Sequence, residues 1–116
     1  MKITVVGSGR MGKILAAAMS GGNEVALYDA DRENALRVAE PLRLRVLSRL
    51  TEAVADAVVL AVPDKAVAAC VVELAATGRA WNVFSVATNI SREMLAGMAS
   101  KDVHCLNVKI IGHAGE

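Results

Sequence analysis

The sequence predicts an α/β fold of three layers, in which helices cover both faces of a doubly wound parallel sheet. Strand-like and helix-like segments alternate along the 116 residues, as parallel strands joined by helical crossovers require. Several strand segments are unbroken apolar runs, which indicates a sheet buried on both faces. Hydrophobic residues make up 54% of the chain, so that residues 1–116 are expected to form one domain with its own core. The predicted strand order is 3-2-1-4-5-6.

The first strand and helix are joined by a glycine-rich turn. A β-branched run ends in Gly7-Ser8-Gly9-Arg10-Met11-Gly12, and apolar residues then recur at helical spacing. In such a turn the first glycine allows the sharp bend, the second lets the backbone approach a pyrophosphate, and the third permits close helix–strand packing. The helix N-terminus also favours phosphate groups. The turn predicts dinucleotide binding on a Rossmann fold, and a turn that serves packing alone is the alternative.

The second strand is followed by a carboxylate. The run Glu24-Val25-Ala26-Leu27-Tyr28 is predicted to be a strand, and Asp29 comes directly after it. This position matches that of the acidic residue that binds the hydroxyl groups of the adenosine ribose in dinucleotide-binding domains. Asp31 is predicted to cap the second helix, and Pro41 to end it near residue 39 or 40.

The choice between NAD and NADP depends on Asp29 and two arginines. A carboxylate at position 29 accepts hydrogen bonds from the ribose and repels a 2′-phosphate, which favours NAD. Arg10 lies in the glycine-rich turn, and Arg32 follows Asp29 closely in the sequence. Either could reach a 2′-phosphate and bind it in a bidentate manner, which would favour NADP. Solvent-exposed roles are the alternative for both arginines. We expect NAD and leave NADP open.

The second half of the chain continues the alternation of strands and helices. The segment 56–62 begins with Asp56 and is apolar from there to its end. This run predicts a central parallel strand that Pro63 ends. The other predicted elements are an edge strand at 44–47, a helical turn at 51–55, a helix capped by Asp64 and stopped by Gly78, a strand at 81–86, a helix capped by Ser91, and a last strand at 103–111.

A ligand crevice is predicted where the strand order reverses, outside the carboxyl ends of the first and fourth strands. The segments expected to line it are 7–12, 29–32, the pair Val62 and Pro63, and the pair Thr88 and Asn89.

Composition and charge exclude several classes of partner. The net charge of +1 gives no basic field for nucleic acid, and the aromatic content of 3% gives no platform for base stacking. Apolar runs are too short to span a bilayer, and glycines interrupt the N-terminal one, so that a cytoplasmic protein is expected. Cys70 and Cys105 lack the spacing of a metal site or a redox pair and are expected to be reduced core thiols. No metal is expected.

Three stretches resemble the N-terminal cofactor domain of a clan of two-domain dehydrogenases. They are residues 1–12, the strand end Tyr28-Asp29, and the run Ala-Asp-Ala-Val-Val-Leu-Ala-Val-Pro at 55–63. The clan includes pyrroline-5-carboxylate reductase, prephenate dehydrogenase, the β-hydroxyacid dehydrogenases and the deazaflavin-linked NADP oxidoreductases. The resemblance covers nearly the whole chain. It implies a nicotinamide-dependent oxidoreductase, or its cofactor half, that acts on a small carbonyl, imine or deazaflavin substrate.

The sequence stretches that are typical of catalysis in that clan are not matched in this chain. After the fifth strand its members resemble one another in Met-Pro-Asn-Thr or Ser-Gly-Gly sequences, whereas residues 106–116 read Leu-Asn-Val-Lys-Ile-Ile-Gly-His-Ala-Gly-Glu. The catalytic residues are therefore unknown from the sequence, and His113 is one candidate because it follows the predicted last strand on the carboxyl side of the sheet. The chain stops where the clan's helical substrate domain begins. We therefore expect a fragment, or a homo-oligomer or partner domain that closes the crevice.

A non-catalytic dinucleotide sensor is the alternative function. The opening and the Asp29 strand end also resemble the regulatory nucleotide-binding domains of potassium transport systems. The Gly-Asp stretch usual after the third strand of that family is absent, and Val62-Pro63 fits the dehydrogenase clan better. A sensor would bind the nucleotide and oligomerise without turnover.

Overall fold

A single parallel sheet of six strands, in the order β3-β2-β1-β4-β5-β6, organises the chain. The structure, a computed structural model, describes residues 1–86 and 103–107. This order confirms the predicted doubly wound α/β fold. The elements are β1 (Lys2–Val6), α1 (Arg10–Met19), β2 (Glu24–Tyr28), α2 (Arg32–Leu42), β3 (Arg45–Val46), a 3₁₀ turn (Leu50–Glu52), β4 (Ala57–Leu60), α3 (Asp64–Ala75), β5 (Trp81–Ser85) and β6 (Val103–Asn107).

Two apolar clusters bury the two faces of the sheet. On one face α1 and α2 pack on the strands, and on the other face α3 and the 3₁₀ turn do so. Every residue of β4 is buried, as expected for a strand with helices or turns on both sides. The buried residues of the first cluster include Val5, Ala16, Leu27, Ala35 and Val38, and those of the second include Val6, Leu50, Leu60, Val71 and Trp81.

The strand register brings three segments to the same edge of the sheet. Val6 at the end of β1 pairs with Tyr28 of β2 on one side and with Leu60 of β4 on the other. Because the three strands are parallel and end at paired residues, the segments that follow them leave the sheet at the same edge. The turn after β1, Asp29 after β2 and Val62 after β4 therefore share one edge.

The end of α2 differs from the prediction. Pro41 lies inside the helix, which continues to Leu42. Arg43 then adopts a left-handed conformation with φ 56°, and its N–H donates to Glu40 O while the Leu44 N–H donates to Ala39 O. This pair of bonds closes the helix. The predicted end of the helix at residue 39 or 40 was wrong. Pro41 removes one backbone donor without ending the helix, and the chain reverses at the left-handed Arg43.

Other element ends shift by a few residues. The helical turn predicted at 51–55 is the 3₁₀ turn Leu50–Glu52. Asp64 is the first helical residue of α3, and Pro63 holds the position of the cap. The same helix ends at Ala75, before Gly78. The helix predicted after Ser91 and the last strand beyond Asn107 lie outside the described residues. Within the described ranges, no helix is both long and apolar enough to cross a membrane.

Candidate functional site

Gly7 and Gly12 let the turn after β1 pack closely against neighbouring backbone groups. Gly7 has φ 108°, and a Cβ there would overlap the carbonyl oxygen of Ala61. A Cβ on Gly12 would overlap the carbonyl oxygen of Gly7. The Gly7 N–H donates to Tyr28 O at 2.8 Å, so that the turn is also fastened to the end of β2. Both positions require glycine, as predicted for Gly7 from the sharp turn and for Gly12 from helix–strand packing.

Gly9 lies at the open side of the turn. It precedes the first residue of α1, and no side chain caps the helix from that position. A Cβ on Gly9 would meet no atom within 4 Å, so its glycine is not required by packing within the described part of the chain. The helix amides beyond it and the space in front of Gly9 form the kind of place where a phosphate binds. Arg10, exposed, and Met11, half-buried, follow it in the first turn of α1.

Asp29 is joined to the same turn by hydrogen bonds. Its Oδ2 accepts from the Ser8 N–H at 2.7 Å and from the Ser8 Oγ–H at 2.6 Å. Its Oδ1 accepts from the Asp31 N–H at 2.8 Å. Burial of the carboxyl disfavours its charge, but these three hydrogen bonds outweigh burial, so that the pKa of Asp29 lies below its ordinary value. The carboxylate is therefore ionised at neutral pH, and one Oδ1 lone pair is left for a further donor.

Asn34 is a residue of this site that the sequence interpretation missed. From the first turn of α2 its Nδ2 donates to the Ser8 carbonyl oxygen at 2.9 Å and to Ser8 Oγ at 2.8 Å. Its backbone N–H donates to Asp31 Oδ1 at 3.1 Å, which confirms Asp31 as the cap of α2. The sequence offered one signal for this role. Asn34 is a polar residue directly before Ala35, and Ala35 belongs to the apolar face of the predicted helix.

Val62, Pro63 and Arg32 occupy the flanks of the turn. Val62 is half-buried, and its Cγ1 would lie 3.3 Å from a Cβ at Gly7, which puts it against the turn. Pro63 is exposed at the start of α3. The exposed Arg32 guanidinium donates from one Nη to Ser48 Oγ at 2.6 Å, beyond the end of β3.

The structure therefore brings together the turn 7–12, Asp29 and Val62, all at the carboxyl edge of the sheet. Among the remaining residues predicted for the site, Arg32 lies at the β3 side and Pro63 at the α3 side of that edge. Thr88, Asn89 and His113 lie outside the described residues.

Comparison with known proteins gives one family and many similar folds. Residues 2–102 match the family described as NADP oxidoreductase, coenzyme F420-dependent. No curated protein matches the sequence.

Several solved structures share the fold. A Mycobacterium tuberculosis 3-hydroxyisobutyrate dehydrogenase is 24% identical, with 98% of this chain and 42% of that chain covered and a TM-score of 0.80. A 1-pyrroline-5-carboxylate reductase from Streptococcus pyogenes is 22% identical, with coverages of 92% and 41% and a TM-score of 0.74. A myo-inositol dehydrogenase from Lactobacillus casei, solved with NAD(H), is 23% identical, with coverages of 90% and 36% and a TM-score of 0.66. The chain thus spans less than half the length of each of these three proteins.

Proposed function

The chain belongs to the family of coenzyme F420-dependent NADP oxidoreductases, and on that premise we propose that residues 1–116 are the dinucleotide-binding domain of an oxidoreductase. The reaction is hydride transfer between a nicotinamide cofactor and a small substrate. The observation that carries the proposal is the joining of the Asp29 carboxylate to the glycine turn through Ser8. This contact supports the proposal because it brings the glycine turn, which we assign to the phosphates, next to Asp29, which we assign to the ribose.

The chemistry of the described residues supports a dinucleotide as the ligand. The pyrophosphate is assigned to the open side of Gly9, where a Cβ would meet no described atom and the amides of α1 favour anions. The adenosine ribose is assigned to Asp29 Oδ1, and the nicotinamide half to the side of Val62. When bound, the nicotinamide supplies the hydride chemistry, and the protein holds and orients it. The proposed cofactor-binding residues are Gly7, Ser8, Gly9, Arg10, Met11, Gly12, Asp29, Arg32, Val62 and Pro63.

We propose that NAD is bound in preference to NADP. Asp29 is ionised at neutral pH, because hydrogen bonds lower its pKa, and a 2′-phosphate beside it would be repelled. The family description names NADP, and Arg32 supports that alternative, because its exposed guanidinium lies beside Ser48, just after β3. Asp29 thus favours NAD, whereas Arg32 and Arg10 are the residues that favour NADP.

The catalytic half of the reaction rests on sequence alone. His113 is proposed to exchange a proton with the substrate, since in the sequence it follows the strand predicted at 103–111. A partner domain or a second copy of the chain is proposed to close the crevice and bind the substrate. An apolar groove of about 250 Å³ beside α1, which Leu15, Met19 and Phe84 help to line, supports such an association.

Thermal unfolding with added nucleotide tests the binding proposal. A ligand at about 100 times its Kd stabilises the native state by about 2.7 kcal/mol, so NADH and ADP-ribose are expected to raise the Tm. A spectrophotometric assay of hydride transfer to an oxidised deazaflavin then separates the enzyme from the alternative. Nucleotide binding without turnover on deazaflavin, carbonyl and imine substrates would favour the non-catalytic sensor. A Tm unchanged by every nucleotide would contradict both.

A further inference from the structure

A chain of hydrogen bonds runs from α2 through the glycine turn to Asp29. Asn34 Nδ2 carries two hydrogens, and they go to the Ser8 carbonyl oxygen at 2.9 Å and to Ser8 Oγ at 2.8 Å. Ser8 Oγ then donates its single hydrogen to Asp29 Oδ2 at 2.6 Å. Ser8 is only 3% exposed, so water has little access to these bonds.

Asp29 and Asn34 together set the direction of these hydrogen bonds. The Asp29 carboxylate can only accept, so it takes the single hydrogen of the Ser8 hydroxyl. Asn34 Nδ2 donates to both oxygens of Ser8 and so holds the hydroxyl and the peptide group in place beside Asp29. With the Ser8 N–H as a second donor to Oδ2, that oxygen is fully occupied. The lone pair that remains for a ligand is then on Oδ1, beside the Asp31 amide.

We propose that Asn34 and Ser8 are positioning residues that orient the Asp29 carboxylate toward the adenosine ribose and so set the preference between NAD and NADP. This inference rests on the proposed function. Asn34 has no expected contact with the cofactor and acts through Ser8. The same bonds hold the Ser8 peptide group, so that the shape of the phosphate-binding turn and the direction of the ribose acceptor are fixed together.

The protein offers a graded set of variants. Asn34→Ala removes the donors, and Asn34→Asp keeps the shape but replaces the donor by an acceptor that competes for the Ser8 hydrogen and adds a negative charge near Asp29. Asn82→Ala is the matched control, because Asn82 is an exposed amide of β5 whose Nδ2 makes only a long contact, 3.4 Å, with Asp56 O among the described residues.

The first readout is the pKa of Asp29 in the ligand-free protein, measured by carbon-13 NMR titration. Two titratable groups lie beside Asp29 in the described chain, namely Tyr28, whose own pKa is raised chiefly by burial, and Asp31 at the start of α2. We expect the pKa of Asp29 to rise in Asn34→Ala, to rise further in Asn34→Asp, and to stay unchanged in Asn82→Ala. The rise in Asn34→Ala, which adds no charge, carries the test, because the new carboxylate of Asn34→Asp also raises the pKa of Asp29 by repulsion.

The second readout is nucleotide affinity as a function of pH. Asn34→Ala is expected to weaken NADH binding about five- to tenfold at neutral pH, with a smaller effect on NADPH, so that the ratio of the two affinities falls. As the pH is lowered, NADH binding should be lost at a higher pH in Asn34→Ala than in the wild type, because its Asp29 becomes protonated earlier.

The outcomes separate this inference from the proposed function. An Asp29 pKa that is the same in the wild type and in folded Asn34→Ala overturns the positioning role, whatever the protein binds. A raised pKa with an unchanged affinity ratio also overturns it as a determinant of specificity. If the wild type binds no nucleotide at all, the proposed function fails and the specificity role with it, while the pKa order still reports whether the hydrogen bonds orient Asp29.

Discussion

The carbonyl oxygen of Gly7 occupies the place that a side chain at position 12 would need. Gly12 lies inside α1, where alanine is normally the better residue by up to about 1 kcal/mol. In this helix the usual preference is reversed by the backbone of the preceding turn. The contact connects the helix to the end of β1 and fixes where the helix N-terminus points.

Gly12→Ala is therefore expected to destabilise the protein by at least about 2 kcal/mol, because backbone must move to admit the methyl group. Urea unfolding followed by circular dichroism measures the change. Gly22→Ala is the control, since a Cβ at Gly22 would meet no described atom within 4 Å, and its effect should stay within about 0.5 kcal/mol. Equal stabilities for the two variants would show that the turn can relax freely.

Gly9→Ala is expected to behave in the opposite way. A Cβ on Gly9 would have open space around it, and its φ of −74° suits any residue, so the stability should change by less than about 1 kcal/mol. The methyl group would stand where the pyrophosphate is assigned, and NADH affinity should fall by about tenfold or more. Undiminished NADH binding in this variant would place the phosphates elsewhere.

Replacing Asp29 by serine together with Ala30→Arg is expected to shift the preference toward NADPH. The change removes the charge that repels a 2′-phosphate and adds a guanidinium that can bind it. Calorimetric titration of both nucleotides measures the ratio of affinities, and Ala30→Arg alone controls for the added positive charge. If the ratio in the double variant equals that of the wild type, Asp29 does not contact the ribose.

Cys70 is expected to react slowly with alkylating reagents in the native protein. Burial, with a contribution from Glu73, raises the pKa of the Cys70 thiol to about 11, so at pH 8 only about one molecule in a thousand carries the reactive thiolate. Alkylation by iodoacetamide, followed by mass spectrometry, should be about 100-fold slower than in guanidinium. Burial also raises the pKa of Cys105, so its alkylation in the native protein should be slowed as well. Rapid native alkylation of Cys70 would contradict its place in the core.

The strands and the glycine turn could be predicted because each depends on local features of the sequence, and the strand order then followed from the doubly wound fold class. Unbroken apolar runs identify buried parallel strands, and the spacing of Gly7, Gly9 and Gly12 between a strand and a helix is typical of a dinucleotide-binding turn. Helix ends were harder, since the stop of α2 depends on the left-handed conformation of Arg43, a residue with no intrinsic preference for it. Pro41 was a stronger indication of a helix end in the sequence than Arg43, but it predicted the end of α2 too early.

The role of Asn34 could not be predicted from its own neighbourhood. Its partners on Ser8 lie 26 positions earlier in the chain and come close only because β1 and β2 are parallel neighbours. Asp29 was recognisable by its position after a strand, but its hydrogen bonds to Ser8 depend on the same tertiary contact. Long-range polar contacts of this kind leave no periodic pattern in a single sequence.

Calorimetric titration of the purified chain with NADH, NADPH and ADP-ribose tests the central claim most directly. If the glycine turn and Asp29 form a dinucleotide site, NADH and ADP-ribose bind with one site per chain, and NADH binds more tightly than NADPH. A folded protein that gives no binding heat with any of the three, and no change in Tm, would contradict the claim and leave the glycine turn with a packing role alone.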